Sequence, residues 1–271
     1  MNYLQFNDRG KFEPEEQALA NYFGEGNYTG FYKKHFLRDK FQLTKDDFIA
    51  GDIDVMFHAM KRLDIEYSYN DYPECLKPYL HRKIWEDTLG NVRREIFEEG
   101  YLKNPIFIKP KDKLKRFTGF VLETVDDLSK CKGAGNQTKI WCSEPVKFIS
   151  EYRYYIRWKM PSDSMFCDDA HPGYEIVGMG SFNKNVNWDE ECKVHRQIYR
   201  MASEAFDKST FMHQNRVGPI AFAMDVGVLS TGEIALVEIN DAFSLGLYNE
   251  KVGKEYAECL IARWNELKGL K

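Results

Sequence analysis

Hydrophobic positions in the first hundred residues recur with the spacing of helices. Val55, Ala59 and Met60 share one face of a segment that begins after Asp52, and this spacing predicts a helix that runs to about Leu63. Further helices are predicted over residues 14–23, 73–80 and 82–99, with a short strand over 65–69. We therefore expect a helix-rich N-terminal region that ends at about residue 103.

From residue 105 the hydrophobic spacing changes to the alternation that is typical of strands. Strands are predicted over 106–109, 117–122, 139–142, 147–149, 151–158 and 175–179, a hairpin over 220–229 and 233–240, and helices over 188–206 and 254–268. Helices followed by mixed strands and helices indicate an α+β chain. We divide it into residues 1–103 and 104–271, and divide the second part again into 104–146 and 147–271.

The charge balance excludes several classes of function. The 271 residues include 38 Lys and Arg against 42 Asp and Glu, which gives a net charge of −4. A polybasic nucleic-acid coat is therefore not expected. No stretch of 18 consecutive apolar residues is present, and the N-terminus lacks the apolar core of a secretory signal. These features predict a cytoplasmic protein without a membrane partner.

The six cysteines are dispersed, with no C-x-x-C pair. In a chain of this length without a secretory signal, we expect reduced thiols and not disulfides. No histidine stands at metal-ligand spacing from them, so a zinc site is not expected.

The stretch AFAMDVGVLSTGEIALVEIND, residues 221–241, carries the most informative polar pattern. If Thr231 and Gly232 form a two-residue turn, then Asp225 lies directly opposite Glu238 across the hairpin. Asn240 then lies beside Glu238 on the same face. A three-residue turn would shift this register by one, so the alignment depends on the turn.

Two acids that face each other across a sheet repel, and something must offset the repulsion. A shared proton would do so, as would a Lys or Arg, but a hard divalent cation suits the arrangement best. Two carboxylates and an amide oxygen are ligands that Mg²⁺ prefers, with positions left for water and phosphate oxygens. An ordinary hairpin with a solvated polar face explains the same residues, and the hairpin alone does not decide between these interpretations.

Two other segments carry charges at positions that suit a phosphate ligand. Lys109 ends the apolar strand IFIKP and begins a segment to Arg116 with five cations and one anion. Such a cluster suits a polyphosphate, although its outer lysines are more typical of a solvated loop. On the segment SEPVKFISEYRYYI, alternation places Glu151, Arg153 and Tyr155 on one face. Arg153 either pairs with Glu151 or reaches into a cleft to neutralise phosphate charge.

Taken together, these segments resemble the ATP-grasp superfamily. The likeness rests on IFIKP, SEPV, E-Y-R and the pattern D-V-G…G-E-I-A-L-V-E-I-N, and it covers roughly residues 50–250. The chain is most similar to the compact ATP-grasp domains of bacteria and phages. After Asn240, however, the chain reads D-A-F-S-L-G and departs from the Asn-Pro or Asn-Ser-x-Gly element of several members.

The resemblance implies two α+β subdomains that clasp ATP, and it implies a role for each residue. Lys109 and Arg153 would contact the phosphates as catalytic residues. Ser143, Glu144 and Val146 would form an interdomain hinge that bonds adenine. The remaining positions are one ribose contact and three Mg²⁺ ligands, namely Glu151 for the ribose and Asp225, Glu238 and Asn240 for the metal.

The function that the resemblance implies is an ADP-forming ligase. ATP would convert a small-molecule or peptide carboxylate into an acyl phosphate, and an amine acceptor would displace the phosphate. This chemistry needs charge stabilisation and in-line positioning and no protein nucleophile. Two rivals stay open: an ATP-grasp kinase that phosphorylates a hydroxyl, and a non-catalytic nucleotide-binding module. A nucleic-acid partner is the weakest of the interpretations because the basic segment is short.

Overall fold

A computed structural model describes residues 1–38, 42–67, 70–111, 116–159, 173–182, 194–196 and 218–270. The chain divides into two compact units. The first unit comprises Met1–Tyr79 with Phe148–Lys271, and the second comprises Leu80–Lys147. Among the described residues, no helix combines the length and the apolar composition that a membrane crossing requires.

The first unit begins with a parallel three-stranded sheet and its connecting helices. The elements are β1 (Asn2–Phe6), α1 (Pro14–Phe23), β2 (Thr29–Tyr32), α2 (Lys33–Phe36), β3 (Phe48–Ala50) and α3 (Ile53–Arg62). The strand order is β2-β1-β3, with both pairs parallel. Proline stands at the start of α1, where its missing N–H costs no hydrogen bond, and Gly24 ends the helix.

The second unit is one antiparallel sheet covered on one face. Its elements are β4 (Ile84–Thr88), α4 (Leu89–Glu99), β5 (Tyr101–Pro110), β6 (Phe120–Thr124), a 3₁₀ helix (Val125–Cys131) and β7 (Lys139–Ser143). The strand order is β4-β7-β5-β6. Buried residues of α4, such as Val92 and Ile96, pack with Ile108 and Cys142 of the sheet into a separate core.

The first unit resumes with an antiparallel four-stranded sheet and a closing helix. These elements are β8 (Phe148–Lys159), β9 (Gly173–Ser181), β10 (Ala221–Leu229), β11 (Ile234–Asp241) and α5 (Gly253–Leu267). The strand order is β11-β10-β8-β9, and every residue of β10 is buried. Residues of α5, such as Trp264, join the parallel sheet and the antiparallel sheet in one hydrophobic core.

The N-terminal region is less helical than the sequence predicted. The helices over 14–23 and 53–62 are where the spacing placed them, but β1, β2 and β3 were missed. These strands have only three to five residues, too few for alternation to stand out. Ile65–Tyr67 belongs to no strand, and residues 68–69 lie outside the described residues.

The predicted helix over 82–99 was wrong in its first half. Residues 84–88 form β4, which pairs along its whole length with β7, and the helix begins only at Leu89. The Thr88 hydroxyl accepts a hydrogen bond from the Asn91 backbone and so caps the helix. Strand pairing with a segment about 50 residues away overrides the local helical spacing.

The compact units differ from the segments expected from the sequence. The predicted boundary between residues 103 and 104 lies inside β5, whereas the one between 146 and 147 lies one residue before the observed end of the second unit. The strands predicted over 147–149 and 151–158 form the single strand β8. Of the helix predicted over 188–206, only residues 194–196 are described, and they are helical. The assignment of lid and C-terminal subdomain roles to these segments stays a prediction.

Candidate functional site

The β10–β11 hairpin brings Asp225 directly opposite Glu238, as predicted, although the predicted turn was wrong. The loop is one residue longer, and the Leu229 N–H donates to the Glu233 carbonyl. Gly232 has a φ of 84°, which an L side chain rarely adopts. Near the turn the register is therefore shifted by one. A β-bulge between residues 225 and 226 and their partners leaves Val237 unpaired and restores the expected alignment.

The three predicted metal ligands lie together on one face of this hairpin. The Asn240 amide nitrogen donates to an Asp225 carboxylate oxygen at 2.8 Å and to a Glu238 carboxylate oxygen at 3.1 Å. Three oxygen-bearing side chains therefore share one small volume at the sheet surface. Since the amide can turn its oxygen inward, two carboxylates and one amide oxygen form a donor set that fits Mg²⁺.

A cation of the protein itself already lies against this cluster. Arg153 faces Asp225 across the β8–β10 pair, and its Nε and one terminal nitrogen each donate to an Asp225 oxygen at 2.7 Å. Both side chains are buried, at 8% and 7% exposure. Burial alone would lower the pKa of Arg153, but the hydrogen bonds and charge of Asp225 outweigh burial and raise that pKa above its usual value. Arg153 pairs with Asp225 and not with Glu151.

A backbone segment, residues 246–248, lies over the Arg153 guanidinium. The Gly246 carbonyl accepts hydrogen bonds from Arg153 at 3.3 Å and from the Tyr155 hydroxyl at 2.9 Å. The same hydroxyl accepts from the Tyr248 N–H at 3.2 Å, and the Tyr248 ring centre is 4.6 Å from the guanidinium carbon. Gly180 of β9 permits this closeness, because a Cβ there would lie 2.7 Å from the Tyr248 Cβ.

Helix α1 also holds this segment. A Glu15 carboxylate oxygen accepts a hydrogen bond from the Leu247 N–H at 2.9 Å, although the two residues are 232 positions apart. Beside it, burial raises the pKa of Glu16 to about 7, and the neighbouring acids Glu15 and Asp52 add to the shift. The unit thus holds two carboxylates at the start of α1, one engaged with a backbone amide and one that binds its proton unusually tightly.

Several of these contacts have little signal in the sequence. Tyr155 was predicted to share a face with Arg153, which strand alternation suffices to show. Gly246, Tyr248 and Glu15 carry no local signal, because their contacts join segments that are distant in the chain.

The second unit holds the predicted phosphate contact, Lys109. This residue is half-buried on β5 and faces Trp141 of β7. The Lys111 ammonium lies 4.8 Å from the centre of the Trp141 ring and forms an ion pair with Glu86. Trp141 and Lys109 lie on the sheet face opposite the α4 core, a face with aromatic and cationic side chains that suit a nucleotide. Residues 112–115 of the basic segment lie outside the described residues.

The predicted hinge residues come directly after β7. Ser143 is the last residue of that strand and is buried, whereas Glu144 is exposed and Val146 is half-buried. The Glu144 carboxylate accepts a hydrogen bond from the Lys83 N–H at 2.9 Å, which fixes the chain at this point. The second unit ends one residue after Val146.

Glu151, the predicted ribose contact, lies on β8 opposite Gly227 and is half-buried. The first unit therefore brings together Arg153, Asp225, Glu238 and Asn240. The second unit carries the other nucleotide contacts that the sequence predicted, Lys109 and the residues after β7.

Comparison with protein families finds one match. The model of an ATP-grasp domain, family 2 of its clade, matches residues 79–169 and 175–259, well over half of the chain. A search of curated proteins finds no match to the sequence.

Comparison with solved structures finds enzymes of low sequence identity. N5-carboxyaminoimidazole synthase from Aspergillus clavatus is 14% identical, with 100% of this chain and 70% of that chain covered and a TM-score of 0.48. VanG D-Ala:D-Ser ligase from Enterococcus faecalis is 11% identical, with 97% and 98% covered and a TM-score of 0.47. D-alanine–D-alanine ligase from Bacillus anthracis is 11% identical, with 99% and 98% covered and a TM-score of 0.48. With TM-scores below 0.5, we base the family on the sequence match alone.

Proposed function

Because the chain belongs to this family of ATP-grasp domains, we propose that it is an ATP- and Mg²⁺-dependent carboxylate–amine ligase. The membership confirms the predicted superfamily and its α+β fold. The observation that supports the ligase proposal most is the cluster of Asp225, Glu238 and Asn240, whose side chains meet within hydrogen-bond distance on one sheet face.

Asp225, Glu238 and Asn240 would hold Mg²⁺ through their side-chain oxygens. The ion would reduce the negative charge of the triphosphate, and so lower the barrier to attack on the γ-phosphorus. Lys109 would contribute a point charge to the phosphates from the second unit. The backbone of Ser143–Val146 would bond adenine, and Glu151 would bond the ribose.

The reaction would proceed in two steps. A carboxylate oxygen of the first substrate attacks the γ-phosphorus of ATP, the bond to the β–γ bridging oxygen breaks, and ADP leaves. The nitrogen of an amine then attacks the acyl carbon, and inorganic phosphate leaves as the amide forms and the amine loses a proton. The chain's own residues bind and orient the reactants and balance charge, which are the main requirements of phosphoryl transfer.

The substrates that this chemistry takes are a small-molecule or peptide carboxylate and an amine acceptor. An ATP-grasp kinase would use the same phosphate contacts and stop after transfer to a hydroxyl. A non-catalytic module would bind the nucleotide and release no ADP. The three functions therefore differ in their products and not in their nucleotide site.

Hydroxylamine trapping separates the three functions even while the natural amine is unidentified. The protein is incubated with ATP, Mg²⁺, hydroxylamine and pools of carboxylates, and ADP, phosphate and hydroxamate are measured. The ligase proposal predicts all three products, and only in pools that contain the carboxylate substrate. A phosphorylated hydroxyl without free phosphate would identify a kinase, and bound nucleotide without ADP in any pool would contradict catalysis.

Two variants of the same hairpin provide the control. Glu238→Gln should lower hydroxamate formation by about 10²- to 10³-fold, the loss that is typical when one group that stabilises transition-state charge is removed. Glu233→Gln should leave it unchanged, because Glu233 lies at the exposed turn of the hairpin, where it bonds Thr231. Equal losses in both variants would indicate damage to the hairpin and not to a metal site.

A further inference from the structure

The Arg153 guanidinium is fully engaged within the first unit. Two of its nitrogens hold the two Asp225 oxygens at 2.7 Å, and the third nitrogen donates to the Gly246 carbonyl. A planar fork on a carboxylate is among the strongest hydrogen-bonded pairs in proteins. Arg153 therefore occupies, in this state, the oxygens that a metal ion on Asp225 would need.

Asn240 supports the same description of the cluster. Its amide nitrogen, and not its oxygen, is directed at Asp225 and Glu238. Both Arg153 and Asn240 thus present donors to the acids. The cluster balances its own charge without a divalent ion, by the arginine alternative that the sequence left open.

The guanidinium is also enclosed. The Tyr248 ring lies 4.6 Å from the guanidinium carbon on one side, and the Phe182 ring lies 5.7 Å from it. Residues 246–248 are held in turn by Tyr155 and Glu15. With low solvent exposure, the repulsion between this cation and a metal ion on Asp225 would be poorly screened by water.

Building on the ligase proposal, we propose that Arg153 is an exchangeable counter-cation of the metal site. Without nucleotide it neutralises Asp225 and holds it in place. When a triphosphate binds, its phosphate oxygens supply the acceptors and the negative charge that Arg153 takes in exchange, and Asp225 is released to the metal ion. Metal binding and nucleotide binding are therefore coupled through one side chain.

The test measures Mn²⁺ binding to the whole protein in the absence of nucleotide, by electron paramagnetic resonance of free Mn²⁺. Arg153→Gln should bind Mn²⁺ at least tenfold more tightly than the natural chain, because the competing cation is gone. Mn²⁺ should also raise the thermal midpoint of this variant more than that of the natural chain. Unchanged or weaker Mn²⁺ binding in Arg153→Gln would overturn the inference.

Arg157→Gln is the matched control. Arg157 lies on the same strand and pairs with Glu258 at 3.0 Å and Glu175 at 3.5 Å, away from the candidate ligands. Its loss should change Mn²⁺ affinity by less than twofold. A comparable gain in both variants would mean that general charge, and not the Asp225 contact, sets the affinity, and would contradict the inference.

Arg153→Lys keeps the test decisive if Arg153→Gln does not fold. A single ammonium retains the charge but cannot span both Asp225 oxygens together with Gly246, so Mn²⁺ should bind about threefold more tightly, an intermediate gain. An unchanged affinity in Arg153→Lys would then refute the exchange.

A separate titration with a non-hydrolysable ATP analogue distinguishes this inference from the proposed function. The analogue should raise Mn²⁺ affinity in the natural chain, and that enhancement should be at least tenfold smaller in Arg153→Gln. An analogue that fails to bind the natural chain contradicts the proposed function, whereas the metal-only titration decides the role of Arg153.

Discussion

The two antiparallel sheets treat their charged residues in opposite ways. In the sheet of the first unit, Arg153 and Asp225 are buried and hold each other in a two-point ion pair. In the sheet of the second unit, Lys111 and Glu86 pair on a partly exposed face, with side-chain exposures of 32% and 51%. Burial makes the first pair a fixed part of the fold, whereas the second pair is solvated and contributes little to it.

This contrast explains why one half of the candidate site is organised by the protein itself. A buried carboxylate needs a partner whether or not a ligand is bound, so the acids of the first unit come with donors already in place. A lysine at a half-exposed sheet surface keeps contact with water and needs no such arrangement. The first sheet is therefore positioned before ligand binding, and the second is expected to gain its main contacts from the ligand.

The most severe test of this contrast breaks one ion pair in each sheet. Asp225→Asn should lower the free energy of unfolding by about 3 to 5 kcal/mol, because it leaves the Arg153 charge buried. Glu86→Gln should lower it by at most about 1 kcal/mol, as is usual for a solvated pair. Denaturant unfolding of the two variants measures both values. Similar losses would contradict the distinction between the sheets.

A second test concerns ligand binding by the second sheet. Lys109→Ala should weaken binding of a non-hydrolysable ATP analogue by about 10- to 100-fold, the equivalent of one charge-assisted hydrogen bond. Its thermal stability should change little. Lys139→Ala, at an exposed position on the neighbouring strand β7, is the control and should bind normally. Calorimetric titration gives both affinities, and a normal affinity in Lys109→Ala would exclude Lys109 as a phosphate contact.

The smallest expected effect concerns Glu16, a partly buried acid of the first unit. Its pKa is raised from 4.5 to about 7, first by burial and then by neighbouring acids. An acid with a raised pKa stabilises the fold fully below pH 4.5, and this contribution is lost as the pH rises through 7. Glu16→Gln, which cannot ionise, should therefore be more stable than the natural chain by roughly 1 to 2 kcal/mol at pH 8.

The gain from Glu16→Gln should shrink toward zero as the pH falls to about 4.5, and unfolding curves across this range measure it. Glu13→Gln, at the exposed residue before α1, should show no comparable trend. A constant difference at every pH would show that the effect of Glu16→Gln does not come from ionisation.

Much of the fold followed from local patterns. The helices at 14–23 and 53–62 were predicted from apolar spacing together with Pro14 and Asp52, which are start signals within a few residues of each helix. The strands of the hairpin were predicted from alternation. Segments that depend on distant partners were predicted poorly: β4 was assigned to a helix, because only its pairing with β7 makes it a strand.

The candidate site shows the same division. The facing positions of Asp225 and Glu238 were predicted, yet the turn used to derive them was wrong by one residue and a bulge compensated for the error. Family membership supports the nucleotide assignment of Lys109 and Glu151, whose roles stay predictions.

The sequence by itself determined the family, the α+β class and the grouping of two acids and an amide on one hairpin. These features depend on residue types at fixed short spacings, which can be counted along the chain. The tertiary structure alone decided that Arg153 neutralises Asp225, 72 residues away, and that residues 246–248 enclose the pair. The physical reason is that a buried charge takes whichever partner the packed strands bring within hydrogen-bond distance, and chain spacing does not specify that partner.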